Sequence, residues 1–352
     1  MSQADRPSKR SRTVADADEP AHVPLKHHEE FWLDDGNVVL VAGTVGFRIY
    51  RGLLVAQSTV FNDMFASSSP HSDETIDGCP VVHVSDSPED LAHLLRVLLP
   101  TTQRRCVSSC GLLSAVLTRN YVLDSFHREQ DAPERTFDEV YAVITLAHKY
   151  NIEDVQRQAL YSLREYTFND NFEVWKERCR EGIKVDGPCA IGAVNLARLL
   201  DVPQMLPIAL YKCLRIGSSM LDGWTRGDGS IEHLSQDDIK RCIDALQSLS
   251  RDRVSYTYWM YYAGVSERCA QHALCKDALR EILAYIMQCD PDFLSDGAYA
   301  LENPIVPDMD DFGLCASCAQ AVKDRELGER RTLWENLPDA FSLVVDKWGE
   351  GI

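Results

Sequence analysis

Five metal-ligating side chains gather in the last quarter of the chain: Cys269, His272, Cys275, Cys315 and Cys318. Two cysteines separated by two residues can bind one ion, because a tight turn brings both sulfurs to the same side. Cys315 and Cys318 have this spacing, and Cys269 with either Cys275 or His272 completes a set of four ligands. Such a zinc site would be structural rather than catalytic, because four protein ligands leave no open position on the ion.

The same spacing leaves two alternatives to zinc. The interval from Cys269 to Cys275 is not a usual half-site, and Cys275 can instead face the core of a helix. The alternatives are therefore buried free thiols and a disulfide or redox switch. We expect most of the twelve cysteines to stay reduced, and Cys213 and Cys242, which lie on apolar stripes, to be small buried hydrophobic residues.

Short motifs of common enzyme classes are missing from the sequence. There is no GxxxxGK[ST] phosphate loop, GxSxG elbow, HExxH helix or GxGxxG turn. The glycine-rich stretch from Gly223 to Gly229 follows no predicted strand, so we interpret it as a surface loop. We predict a protein that is not an enzyme and has no catalytic residues.

Composition excludes several partners. The 352 residues contain 36 Lys and Arg against 54 Asp and Glu, a net charge of −18 at pH 7. This acidity argues against direct binding of nucleic acid or of an anionic membrane, since phosphates need clustered cations. We find no apolar run long enough to span a membrane and no apolar signal segment near the N-terminus. We expect an intracellular protein, cytoplasmic or nuclear.

Two segments carry weak signals for order. Residues 1–27 have almost no large apolar side chains, so we predict a disordered tail. Its basic cluster from Lys9 to Arg12 is either a nuclear import signal or a solvated basic spot. Residues 101–135 are irregular, and we interpret them as an insertion with at most one short helix.

Regular patterns in residues 28–170 predict an α+β domain. The runs 38–42 and 45–50 form a hairpin around Gly43, Ser58 caps a helix, and 81–84 is a third strand. Ser87 and Pro88 begin a helix whose leucines recur at helical spacing, namely Leu91, Leu94, Leu95 and Leu98. Two further helices follow, joined by a tight corner at 149–152.

Residues 171–352 show helical periodicity and predict an all-helical C-terminal domain. Ser235 resembles the start of a capping box, and loops are expected over most of the last fifty residues. The segment from Ser255 to Tyr262 holds five aromatic rings in eight positions. It is either a partner-binding surface or part of the core.

The order of elements in residues 28–170 resembles that of a BTB/POZ domain: strand, strand, helix pair, strand, leucine-rich helix and two packed helices. The stretch from Phe47 to Phe61, followed by Phe65, resembles the family's Phe-x-apolar-His-Arg pattern with its later Leu, Ser and Phe. The stretch from Ala147 to Tyr150 resembles its Ala-x-Lys-Tyr helix corner. The whole pattern looks most like the expanded BTB proteins of filamentous and mushroom-forming fungi.

This resemblance implies an interaction module that forms homodimers or recruits protein partners, including cullin-type ubiquitin ligases and corepressors. Two positions depart from the family: Tyr50 replaces the usual His, and Asn37 replaces an acid whose partner is kept as Arg51. In dimeric members that acid and arginine help form the subunit interface, so Asn37 and Arg51 are our candidate interaction residues. A buried, unpaired arginine would cost several kcal/mol, so we expect Arg51 to meet a new acceptor or solvent.

We therefore expect a non-catalytic protein–protein interaction adaptor that acts through a BTB/POZ domain and self-associates or recruits partners. One alternative is a substrate adaptor of a cullin-type ubiquitin ligase. Another is a zinc-stabilised or redox-sensing transcriptional regulator that uses the late cysteines. The only expected cofactor is structural zinc.

Overall fold

Within its described residues the protein is α+β, with a five-stranded sheet near the start of the chain, a two-stranded hairpin in the second half and helices elsewhere. A computed structural model describes residues 24–67, 74–99, 136–178, 183–289, 296–302 and 312–351. The basic cluster at 9–12 and the insertion predicted at 101–135 lie outside these ranges. No helix within them is both long enough and apolar enough to cross a bilayer.

Five strands form the sheet: β1 (Lys26–Trp32), β2 (Val38–Ala42), β3 (Val45–Ile49), β4 (Thr75–Ile76) and β5 (Cys79–Val84). Their order is β1-β3-β2-β5-β4, with β2 antiparallel to β3 and parallel to β5. All five residues of β2 are buried, as expected for a strand covered on both faces. Gly43 turns the β2–β3 hairpin at φ +54°, so the predicted hairpin is confirmed.

Strand β1 begins at Lys26, inside the segment 1–27 that the sequence predicts to be disordered. It pairs in parallel with β3, and Phe31 is its one buried side chain. An edge strand is held mainly by backbone hydrogen bonds, so it need not show apolar alternation. That is why composition placed the start of order too late.

Where the structure describes this half, five helices accompany the sheet: α1 (Arg51–Gln57), α2 (Thr59–Ser67), α3 (Pro88–Leu98), α4 (Phe137–Lys149) and α5 (Glu153–Tyr166). Both predicted caps are confirmed. The Ser58 hydroxyl accepts the N–H of Phe61 at 3.0 Å, and the Ser87 hydroxyl accepts the N–H of Asp90 at 3.1 Å. The four leucines of α3 are buried, so its predicted apolar stripe faces the core.

The second half contains seven helices within the described ranges: α6 (Phe172–Arg178), α7 (Ala190–Leu199), α8 (Leu206–Leu214), α9 (Gln236–Tyr262), α10 (His272–Cys289), α11 (Ala316–Glu335) and α12 (Leu337–Ala340). Ser235 caps α9 as predicted, accepting the N–H of Asp238 at 3.1 Å. The twenty-residue α11 replaces loops expected there. Helix α11 buries few side chains and has no continuous apolar stripe, so its sequence does not predict a helix by apolar periodicity.

The second half is not all-helical. The glycine-rich stretch carries β6 (Trp224–Thr225), which pairs with β7 (Ile231–Glu232) in a short hairpin. Trp224 and Arg226 are buried, so the prediction of a surface loop was wrong. Glycines in the sequence predict a flexible backbone. They do not show whether the loop is buried, which depends on contacts of its other side chains with distant segments.

Helix α4 belongs to two cores. Val143 and Ala147 pack with the sheet and its helices, whereas Val140 and Ile144 pack with α7, α8 and α9. The sheet-containing half and the helical half therefore share a helix. A third, smaller core surrounds the late cysteines.

Arg226 links the two halves electrostatically. Its terminal nitrogens donate to the carboxylate of Asp90 on α3 at 2.8 and 2.7 Å, and its Nε donates to Asp138 on α4 at 2.8 Å. The guanidinium carbon also lies 4.7 Å from the ring centre of Tyr141. Only 6% of the Arg226 side chain is exposed, so these bonds form where water screens little.

We expect Arg226→Met to lower the free energy of unfolding by about 3–5 kcal/mol, because it leaves Asp90 and Asp138 without their buried cation. Chemical denaturation of the full chain measures this. The control is Arg280→Met, which removes a surface pair between Arg280 and Asp277 and should cost less than about 1 kcal/mol. Similar small losses for both variants would contradict the role of Arg226.

Candidate metal centre

Four cysteines meet between the last long helices. Cys269 lies in the turn between α9 and α10, and Cys275 lies in the first turn of α10. Cys315 immediately precedes α11, and Cys318 lies in its first turn. Their four sulfur atoms all lie within 4.8 Å of one another.

The pair Cys315 and Cys318 is arranged by the start of α11. Cys315 has extended backbone angles, φ −67° and ψ 153°, and its carbonyl accepts the N–H groups of Cys318 and Ala319, both at 2.9 Å. This first turn directs the two side chains to one side. The two-residue spacing in the sequence therefore works as predicted.

The distances suit a tetrahedral ion. Zinc–sulfur bonds of about 2.3 Å at tetrahedral angles separate the sulfurs by about 3.8 Å. The sulfurs of Cys315 and Cys269 are 3.8 Å apart. With this pair at the ideal spacing and all four sulfurs within 4.8 Å of one another, the cluster is compatible with a zinc ion at its centre.

Backbone N–H groups point at three of the sulfurs. Ser266 donates to Cys318 at 3.3 Å, Gln271 to Cys269 at 3.4 Å, and Cys315 to Cys275 at 3.5 Å. Such donors stabilise negative charge on thiolate ligands and fix their orientation. Because these donors are backbone groups, side-chain identity does not reveal them in the sequence.

Cys275, Cys315 and Cys318 differ in acidity. The pKa of Cys315 is lowered to about 7, chiefly because the N–H of Cys318 favours its thiolate, with help from the neighbouring thiols. Burial raises the pKa of Cys275, and it raises that of Cys318 to about 12. The Cys315 thiolate therefore forms readily near neutral pH, whereas a cation is needed to ionise Cys275 and Cys318.

An apolar shell and one arginine hold the surrounding helices. Leu279 and Ile282 of α10 pack with Val322 of α11 in the small core that contains the sulfurs. Arg325 of α11 donates to the carbonyls of Met260 and Gly264 at 2.8 and 2.7 Å, at the end of α9. Arg325 carries no signal in the sequence, because its partners are carbonyl groups at the end of a helix far away in the chain.

His272, the alternative ligand, is not part of the cluster. It is the exposed first residue of α10, one turn before Cys275. Cys213 and Cys242 are fully buried in the helical core, as predicted. Within the described ranges every cysteine whose side chain is placed is a free thiol.

Asn37 and Arg51 lie together, but not as an ion pair. The side-chain oxygen of Asn37 accepts the backbone N–H of Arg51 at 2.8 Å at the start of α1. The guanidinium of Arg51 is exposed and lies 5.5 Å from the ring centre of Phe65. Its charge therefore stays in contact with solvent.

The aromatic segment of α9 divides between its two faces. Tyr256 and Tyr261 are buried, whereas Tyr258, Trp259 and Tyr262 are 45%, 58% and 62% exposed. The core interpretation is therefore confirmed for Tyr256 and Tyr261, whereas partner binding by the three exposed rings stays a prediction. Consecutive aromatic residues do not show which of them face inward until the neighbouring helices are placed.

No protein-family model matches the chain, and no curated protein matches it.

In the metal-free, reduced protein we expect Cys315 to react with iodoacetamide before the other three cysteines of the cluster. Its labelling rate should rise as the pH passes through about 7, since the thiolate is the reactive form. Peptide mass spectrometry after brief labelling from about pH 6 to about pH 9 measures this. The control is Cys189, whose pKa burial raises, so it should label at higher pH. Earlier labelling of Cys318 would contradict the assignment.

Proposed function

We propose that this protein is a non-catalytic adaptor. Its sheet-containing half would be a BTB/POZ-like interaction module, and its helical half would be stapled by zinc. The module would present surfaces to protein partners, while zinc would hold α9, α10 and α11 together.

The order of elements supports the BTB/POZ-like assignment. The hairpin β2–β3 leads into the paired helices α1 and α2, then β5 returns parallel to β2. The leucine-rich α3 and the packed helices α4 and α5 complete the series. This is the order on which the sequence resemblance rests.

A direct contact between the two distant motifs carries the proposal. The Ser58 hydroxyl donates to the carbonyl of Tyr150 at 2.5 Å, 92 residues away, and the ring of Phe61 stacks on that of Tyr150 at 4.2 Å. Lys149 and the Tyr150 hydroxyl both donate to Asp86, just before α3. The motif residues therefore have packing roles that explain why they occur together.

The candidate interaction face surrounds the start of α1. Asn37 and Arg51 are both exposed there, and Tyr50 donates its hydroxyl hydrogen to Asp35 at 2.5 Å. An exposed arginine beside ordered polar groups suits a partner that carries carboxylates.

We expect affinity capture with the full chain to recover a reproducible set of partners, or further copies of the chain itself. Arg51→Glu should lower their recovery by about tenfold or more, because a reversed charge repels the partner's acids. Arg280→Glu, a charge reversal on the distant α10, is the matched control and should leave recovery unchanged.

Light scattering on the purified chain separates the outcomes. A measured mass twice that of one chain, which falls to the mass of one chain in Arg51→Glu, indicates a homodimer. A cullin among captured proteins would assign the narrower role of ubiquitin-ligase adaptor, and its absence would exclude that role. A strict monomer that captures nothing would contradict the adaptor proposal.

Zinc is the ion that best fits the four-cysteine centre. Four thiolates in a tetrahedral arrangement, with backbone N–H donors around them, are typical of structural zinc and leave no position for a substrate. The small apolar core around the sulfurs would gain from such a staple, since small cores are marginally stable.

We expect the full chain, purified without added metal, to carry about one zinc ion per molecule. Cys275→Ser and Cys318→Ser should abolish binding, and Cys189→Ser should not, as measured by elemental analysis. Zinc retention should fall as the pH falls, because protons compete for thiols whose pKa is raised. A zinc-free protein with four freely titratable thiols in the cluster would contradict this proposal.

A further inference from the structure

One residue of the four-cysteine centre is partly exposed to solvent. Cys315 is half-buried, whereas Cys269, Cys275 and Cys318 are at most 5% exposed. Oxidation of cysteine depends on access as well as on thiolate character. A small oxidant in solution therefore meets Cys315 before it meets the other three.

A second sulfur from another segment lies next to it. The sulfur of Cys269 is 3.8 Å from that of Cys315, and a disulfide needs about 2.05 Å. Cys269 belongs to the turn between α9 and α10, so it can approach without breaking a helix. Cys318 lies within the first turn of α11, so its backbone is fixed by the helix. The geometry therefore favours Cys269 over Cys318 as the partner of Cys315.

We propose that the centre is an oxidation-sensitive zinc switch, in which a peroxide joins Cys315 to Cys269 and expels the ion. This inference rests on the zinc binding proposed above. The Cys315 thiolate attacks one peroxide oxygen and the O–O bond breaks. Hydroxide departs, and Cys315 becomes a sulfenic acid. The Cys269 thiolate then attacks that sulfur, the S–S bond forms and a second hydroxide leaves. The two sulfurs lose two electrons, and the peroxide gains them.

Loss of two ligands explains why the ion leaves. Only Cys275 and Cys318 remain, and two thiolates do not complete a tetrahedral site. The disulfide still ties the turn after α9 to the start of α11, whereas Cys275 of α10 loses its link to both. Oxidation would thus replace the zinc by a disulfide and leave α10 held only by its apolar contacts in the small core.

The test uses the full chain, whose zinc content is measured first. Hydrogen peroxide is added in steps, released zinc is followed with a chromogenic chelator, and disulfides are mapped by mass spectrometry after alkylation. We expect one zinc ion released for each Cys269–Cys315 disulfide, and recovery of zinc binding after dithiothreitol and zinc are added. Cys189→Ser should behave like the unaltered chain.

Two results would overturn the switch: zinc that stays bound while the cluster is oxidised, or a dominant bond other than Cys269–Cys315, such as Cys315–Cys318. Protein that contains no zinc at the outset would instead refute zinc binding itself. In that case the same mapping on the metal-free chain still decides whether Cys269 and Cys315 pair, so the two failures are distinguishable.

Discussion

The position of one buried charge determines how the two halves of the chain meet. Arg226 extends from the hairpin of the helical half to Asp90 and Asp138, which begin two helices of the sheet-containing half. A guanidinium withdrawn from water needs acceptors in a fixed geometry, so it specifies one docking arrangement. Because α4 is shared by both cores, any displacement of this contact would disturb packing on either side.

The last helices of the chain are held together by a different kind of interaction. The helices α10 and α11 bury a small core of their own, and α11 is mostly polar. So few apolar side chains give this core little stability, and a cation bound by its four sulfurs would add to it. A rigid helical half would in turn support the proposed interaction module, whose exposed residues rather than its core would determine the partner.

Local signals were sufficient for much of the fold. The serine caps at Ser58 and Ser87, the hairpin at Gly43 and the leucine stripe of α3 each depend on neighbours within a few residues. The same holds for the pair Cys315 and Cys318, whose spacing suits the first turn of a helix. In each of these features the interacting residues are close in the sequence, so the residue pattern predicts the feature directly.

By itself, then, the sequence determined most of the helices, the central strands, the segment that holds the late cysteines, the acidic charge of the chain and its lack of common enzyme motifs. Tertiary structure alone decided that Cys275 rather than His272 faces the other sulfurs, that Arg226 is buried, and that Trp259 faces solvent. It also placed β1 and α11, which lack apolar periodicity. Each of these outcomes depends on which segments far apart in the chain come into contact, and composition and spacing record only near neighbours.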